Sequence, residues 1–146
     1  MTKLAIPTPV ITTIPVNGSE EVFPVRRVYC IGRNYADHVI EMGNDPKDSP
    51  IFFQKNSDNV DTSGKFPYPP QSNDVHHELE LVMALKSGGS NISEADAYKH
   101  IYGFAVGLDM TRRDLQALAK KGGKPWEVGK AFERSAPMGT LTKIEE

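Results

Sequence analysis

The sequence predicts a mainly β chain with short helices, an α+β fold, on three observations. Val75–Lys86, "VHHELELVMALK", alternates with the two-residue period of a strand. Ile101–Met110, "IYGFAVGLDM", alternates bulky residues with glycine, alanine and one aspartate. The segments with helical signals are short, the longest being "RRDLQALAKK", and Pro- and Gly-rich turns separate them.

At 146 residues the chain is one domain or most of one. A formal net charge of −2 and a pI near 6.1 give no electrostatic attraction to nucleic acid or to an anionic membrane. With 25% charged and 38% hydrophobic residues, the composition suits a folded chain rather than a disordered one. The single cysteine, Cys30, excludes an internal disulfide and favours a reducing compartment. The opening "MTKLAIPTPVITTIPVNG" is broken by Pro7, Pro9 and Pro15 and lacks the apolar run of a signal peptide, and no window has the length of a membrane span. These features predict a cytoplasmic protein.

Residues 1–24 read as an extended, Pro-punctuated arm. "RRVYCIG" (Arg26–Gly32) is a strand closed by glycine. Asn34 caps a short helix, "YADHVIEM", which Gly43 ends. "PIFFQK" (Pro50–Lys55) is a second strand, and "GKFPYPPQSND" is a rigid loop because its prolines cannot join a central strand. In Val75–Lys86 one face is Val75, His77, Leu79, Leu81, Met83 and Leu85, and the other is His76, Glu78, Glu80, Val82, Ala84 and Lys86. After the turn "SGGSN", Ser93 and Asp96 cap the helix "SEADAYKH". In Ile101–Met110 the small face ends on Asp109. Thr111 and Asp114 read as a capping pair for "RRDLQALAKK", which Gly122 and Gly123 stop. "KPWEVGKAFERSAP" is mostly loop, and "GTLTKIEE" starts an alternating segment with no strand partner downstream.

Glu78 and Glu80 lie about 6.6 Å apart along one strand face, near enough for two flexible carboxylates to converge on one ion. Asp109 closes a face of small residues that leaves room for a ligand. Three hard oxygen ligands without cysteine suit Mg2+, with Mn2+ or Ca2+ as alternatives, rather than structural zinc. The competing reading is a solvated strand face and an unrelated aspartate. His38 and Glu41 are helical neighbours at i and i+3, so Glu41 could fix the tautomer of His38 and make it a general base for water; a plain surface pair is the alternative. Arg113 and Gln116 share a face of the helix after Asp109, where arginine suits carboxylate recognition. Lys130, in a Gly-flanked loop, offers a point charge to an oxyanion or enolate. A surface cation is the alternative for both Arg113 and Lys130. His76 shares the glutamate face and suits a supporting role, and Cys30 reads as a small core residue rather than a nucleophile.

The blocks "YCIGRNYADHVIEMG", "PIFFQK", "DVHHELELV", "YGFAVGLDMTRRDLQ" and "KPWEVGKAFERSAP" occur in that order. Together they resemble the fumarylacetoacetate hydrolase family, over residues 22 to about 140. "VFPVRRVYCIGRNY" and "FPYPP" are most similar to the bacterial fumarylpyruvate hydrolases of the gentisate pathway, among the short acylpyruvate hydrolases. The resemblance implies a divalent metal held by Glu78, Glu80 and Asp109, and a His38–Glu41 dyad on a helix that orders over substrate. It implies substrate contacts from Arg113 and from Lys55, where Asn56 replaces the usual proline. Gln116 and Lys130 are implied as catalytic. The implied fold is a mixed β-sandwich roll, usually dimeric, of which residues 25–146 would be the N-terminal part of one catalytic domain, incomplete because the family continues for roughly another third of its length. The implied activity is hydrolysis of a C–C bond in an acylpyruvate, most simply fumarylpyruvate to fumarate and pyruvate. The alternatives are oxaloacetate decarboxylation, isomerisation with decarboxylation, or an inactive fragment. The implied partner is a small 2-oxo acid, with no nucleic acid and no membrane.

Overall fold

Nine strands and a few short helices are seen in the computed structural model, which describes residues 3–32, 34–35 and 49–144. β1 (Thr13–Pro15) and β2 (Val22–Pro24) form an antiparallel hairpin within the Pro-rich N-terminal region. β3 (Val28–Gly32) pairs antiparallel with β4 (Ile51–Lys55). β5 (Val60–Asp61) pairs parallel with β8 (Ala136–Pro137). β6 (Val75–Leu85) and β7 (Ile101–Arg112) make a long antiparallel ribbon, and β7 takes β9 (Thr142–Lys143) on its other edge. The helices are α1 (Glu94–Ala97), α2 (Arg113–Lys121) and α3 (Glu127–Lys130). The architecture is mainly β with short helices, as the alternation predicts. No helix among the described residues is long and apolar enough to cross a membrane.

The ribbon's register positions the site. Glu78 pairs with Asp109, Glu80 with Gly107, Val82 with Ala105 and Ala84 with Gly103. Directly paired residues in an antiparallel ladder point to the same face. One face of the ribbon therefore runs from three carboxylates at one end to small apolar residues at the other. The small end enters the core, where Ala84 and Ala105 pack with Ile14, Val60, Ala136 and Leu141. Gly103 is required there: a Cβ would stand 2.2 Å from the Thr142 carbonyl oxygen, so only glycine lets β9 dock. The other face carries Leu79, Leu81, Met83, Leu85 and Val106, each more than half exposed.

Several local expectations change. β7 runs two residues beyond Met110, to Arg112, so Thr111 lies inside a strand and does not cap α2. Asp114 turns back instead to accept from the Ser72 hydroxyl at 2.7 Å and from the Asn73 amide at 3.0 Å. Ser93 does cap α1, accepting from the Asp96 amide. α3 lies within the segment expected to be loop, because Gly129 and Lys130 close a tight helical turn onto the Trp126 carbonyl. The C-terminal alternating segment finds its partner upstream, in β7. Residues 36–42 of the expected helix after Asn34 lie outside the described residues.

Candidate active site

The carboxylate end of the ribbon meets a lysine from α3. Lys130 is 2% exposed, and its Nζ donates to Asp109 Oδ2 and Glu78 Oε2, both at 2.7 Å, and to Thr111 Oγ1 at 2.6 Å. Three charge-assisted or polar contacts satisfy all three ammonium protons. Gly129 makes this approach possible, since a Cβ there would lie 2.9 Å from the Gln116 amide nitrogen on α2. The Phe53 ring of β4 covers the ammonium, 5.2 Å from its centroid to Nζ.

Lys55, at the end of β4, is a second buried lysine. It donates to the Met110 carbonyl at 3.2 Å and to the Lys130 carbonyl. Its Nζ also stands 2.9 Å from Asp109 Oδ1. That oxygen is buried and has a cation at ion-pair distance, yet it lacks an aligned hydrogen-bond donor. Burial pulls the Lys55 ammonium below the usual lysine range, and Asp109 opposes this.

Arg113 opens α2 and reaches back over the ribbon. One guanidinium nitrogen donates to Glu78 Oε1 at 2.6 Å and another to Gln116 Oε1 at 2.9 Å. Burial pushes Glu78 upward, but Lys130 and Arg113 outweigh it and hold the carboxyl below its ordinary value. Glu80 behaves oppositely. It is half-buried, and the Lys130 charge acts on it only weakly. Burial raises its carboxyl, the Tyr35 hydrogen bond counters part of the rise, and the nearby Asp109 and Glu78 charges add to it.

The structure thus brings Glu78, Asp109, Lys130, Lys55, Arg113 and Gln116 into one cluster and places Glu80 on the same face. The three carboxylates do not close on one point: among the described residues no three His, Cys, Asp or Glu side chains gather tightly enough to hold an ion. Lys130 stands between Glu78 and Asp109 instead. By chemistry the donor set suits a hard divalent cation: three carboxylates share a face, and among the described residues Asp109 Oδ1 is buried without an aligned hydrogen-bond donor. His38 and Glu41 lie outside the described residues. His76 pairs with Asp74 at 2.9 Å near the surface. Burial raises the Cys30 thiol to about 11, which leaves it a poor nucleophile.

Two residues near the cluster, Thr111 and Tyr35, were not among the site residues expected from the sequence. Thr111 shares the Asp109 face by simple alternation, so the strand period carries that signal once β7 is read to Arg112. Tyr35 carries no such signal, because its contact with β6 spans 46 residues.

The fumarylacetoacetate (FAA) hydrolase C-terminal family model matches residues 27–146. The chain belongs to the fumarylacetoacetate hydrolase family. The crystal structure of fumarylpyruvate hydrolase from Pseudomonas aeruginosa, in complex with Mn2+ and pyruvate, is 47% identical with a TM-score of 0.91, covering 97% of this chain and 63% of that one. The mitochondrial oxaloacetate tautomerase of Caenorhabditis elegans is 38% identical over 121 residues, 82% of this chain and 56% of the relative. The oxaloacetate tautomerase of Escherichia coli K12 is 38% identical over 125 residues, 85% of this chain and 57% of the relative. The chain therefore spans little more than half the length of these curated relatives.

Proposed function

We propose that the chain carries the cation-binding and 2-oxo-acid-binding part of an enzyme that hydrolyses an acylpyruvate, with fumarylpyruvate as the substrate. The observation that carries this reading is the 47% identity to a fumarylpyruvate hydrolase crystallised with Mn2+ and pyruvate, combined with the acid–lysine cluster on the β6–β7 face.

Glu78, Glu80 and Asp109 would hold the divalent cation, Mg2+ or Mn2+. When bound, such an ion supplies a Lewis acid for the 2-oxo-acid end of the substrate. Arg113 binds the substrate carboxylate, held at its post by Glu78 and Gln116. His38, oriented by Glu41, takes a proton from water. The water oxygen bonds to the distal carbonyl carbon, the bond from that carbon to the methylene breaks, and its electron pair passes into the pyruvate enolate. Proton return to the methylene carbon completes pyruvate, and the acyl group leaves as fumarate. Lys130 and Gln116 stabilise the negative charge as it develops. The active form is a homodimer of the full-length protein in the cytoplasm.

A second reading rests on the 38% identity to oxaloacetate tautomerases. Enolate stabilisation by the same residues would serve that reaction without an activated water. A substrate panel at fixed Mn2+ separates the two. Release of fumarate and pyruvate in equal amounts from fumarylpyruvate supports hydrolysis, and faster keto–enol exchange of oxaloacetate without pyruvate release supports the second reading. His38→Ala should abolish hydrolysis and leave Mn2+ binding intact; retained turnover would remove His38 from the base role.

A further inference from the structure

Lys55 closes β4, and its side chain is only 1% exposed. A lysine ammonium has three protons to donate and no lone pair. Here it donates to two main-chain carbonyls, that of Met110 on β7 at 3.2 Å and that of Lys130 on α3. Its Nζ also faces Asp109 Oδ1 at 2.9 Å, and the Phe132 ring lies 5.7 Å away. Each of these neighbours is a protein group. The Lys130 carbonyl is the last of a four-residue helix, where a carbonyl has no amide of its own helix to accept from. A single helical turn does not hold its shape in isolation. What α3 is tied to therefore sets where Lys130 stands.

We propose that Lys55 is a positioning residue: by tying the Lys130 carbonyl to β4 and β7 it holds the Lys130 ammonium on Asp109, Glu78 and Thr111, and it does so without touching substrate. This rests on, and deepens, the reading of Lys130 as the group that stabilises developing charge. The two buried lysines divide the roles. Lys55 bonds the main chain of β7 and α3, whereas Lys130 bonds the side chains of the site. The charge of Lys55 has an effect of opposite sign. It competes with Lys130 for Asp109, so on charge alone its loss would tighten the Lys130–Asp109 pair.

The test is NMR of the 146-residue chain carrying isotope-labelled lysine, beside its Lys55→Met variant, which keeps the length of the side chain and removes its donors. Lys130→Met assigns the Lys130 ammonium signal. Loss of a charge-assisted hydrogen bond should make the Lys130 ammonium protons exchange with water about tenfold faster in Lys55→Met, with the amide spectrum of the β6–β7 ribbon retained. Unchanged exchange, even with a lowered melting midpoint, would overturn the positioning role, and slower exchange would show that Lys55 acts only as a competing charge. Should Lys55→Met fail to fold, the unsubstituted chain decides. A scalar coupling across the hydrogen bond from Lys55 Nζ to the Lys130 carbonyl carbon is expected, and its absence would overturn the proposal. A chain that gives the expected spectra but releases no fumarate from fumarylpyruvate would overturn the hydrolytic reading of Lys130 and leave its placement by Lys55 standing.

Discussion

Lys130 Nζ lies 2.7 Å from Asp109 Oδ2, with the two side chains only 2% and 8% exposed. An acid from the central strand of the ribbon and a base from a one-turn helix thus form a buried pair. Removing one partner of such a pair is costlier than the pair is worth, because the other charge remains buried.

Lys130→Met should therefore destabilise the chain by about 3 kcal/mol, at the low end for a broken buried pair because Lys55 and Arg113 still face the two acids. Urea unfolding with and without Mn2+ measures it. Mn2+ should raise the variant's midpoint more than that of the unsubstituted chain, since the ion takes over the charge that Lys130 balanced. Equal Mn2+ shifts in both would argue against Glu78 and Asp109 as ligands.

Thr111 contributes the third partner of Lys130 and is fully buried. Thr111→Val keeps the shape but removes the acceptor, leaving an ammonium proton without a partner. A cost of about 1–2 kcal/mol is expected in the same unfolding assay. A neutral result would mean that the lysine finds another acceptor.

Acid sensitivity should trace partly to Asp61. The Arg134 side chain donates to its carboxylate, and Ser63 adds further hydrogen bonds; together they lower the carboxyl to about 2 from 3.8. A depressed carboxyl contributes stability that is complete above about 3.8 and is lost as pH falls toward about 2. Asp61→Asn should lower the melting midpoint at neutral pH and flatten its fall across that acid window. Parallel pH profiles for the two chains would count against this assignment.

Gly103→Ala should weaken the docking of β9. The new Cβ would meet the Thr142 carbonyl at 2.2 Å, a backbone atom that cannot swing aside. A loss of about 1–3 kcal/mol is expected. Amide exchange should speed up at Ile144, whose N–H bonds the Tyr102 carbonyl. Unchanged protection there would show that the strand pair can shift to accept the methyl group.

The strand alternation in Val75–Lys86 and Ile101–Met110 is a local property, and the structure keeps it over nearly the whole of both segments. The ends were harder to read. Thr111 and Arg112 continue β7 because they pair with His76 and Val75, and that pairing outweighs the capping signal of Thr111. The usual rule that the bulky face is the buried face also fails on this ribbon. Leu79 and Leu81 are exposed, while the face holding Ala84 and Ala105 enters the core, because glycine and alanine let β9 and the N-terminal hairpin come close.

From sequence alone came the class of fold, the faces of the two long strands, and three carboxylates of the type able to hold a hard cation. These follow from a period of two and from ligand chemistry, both local. Tertiary structure alone decided that Glu78 stands opposite Asp109, that Lys130 enters between them with Thr111 and Lys55 around it, and that the Tyr35 hydroxyl reaches the Leu81 amide of β6. Register and burial depend on contacts between segments far apart in the chain, and no pattern within one segment encodes them.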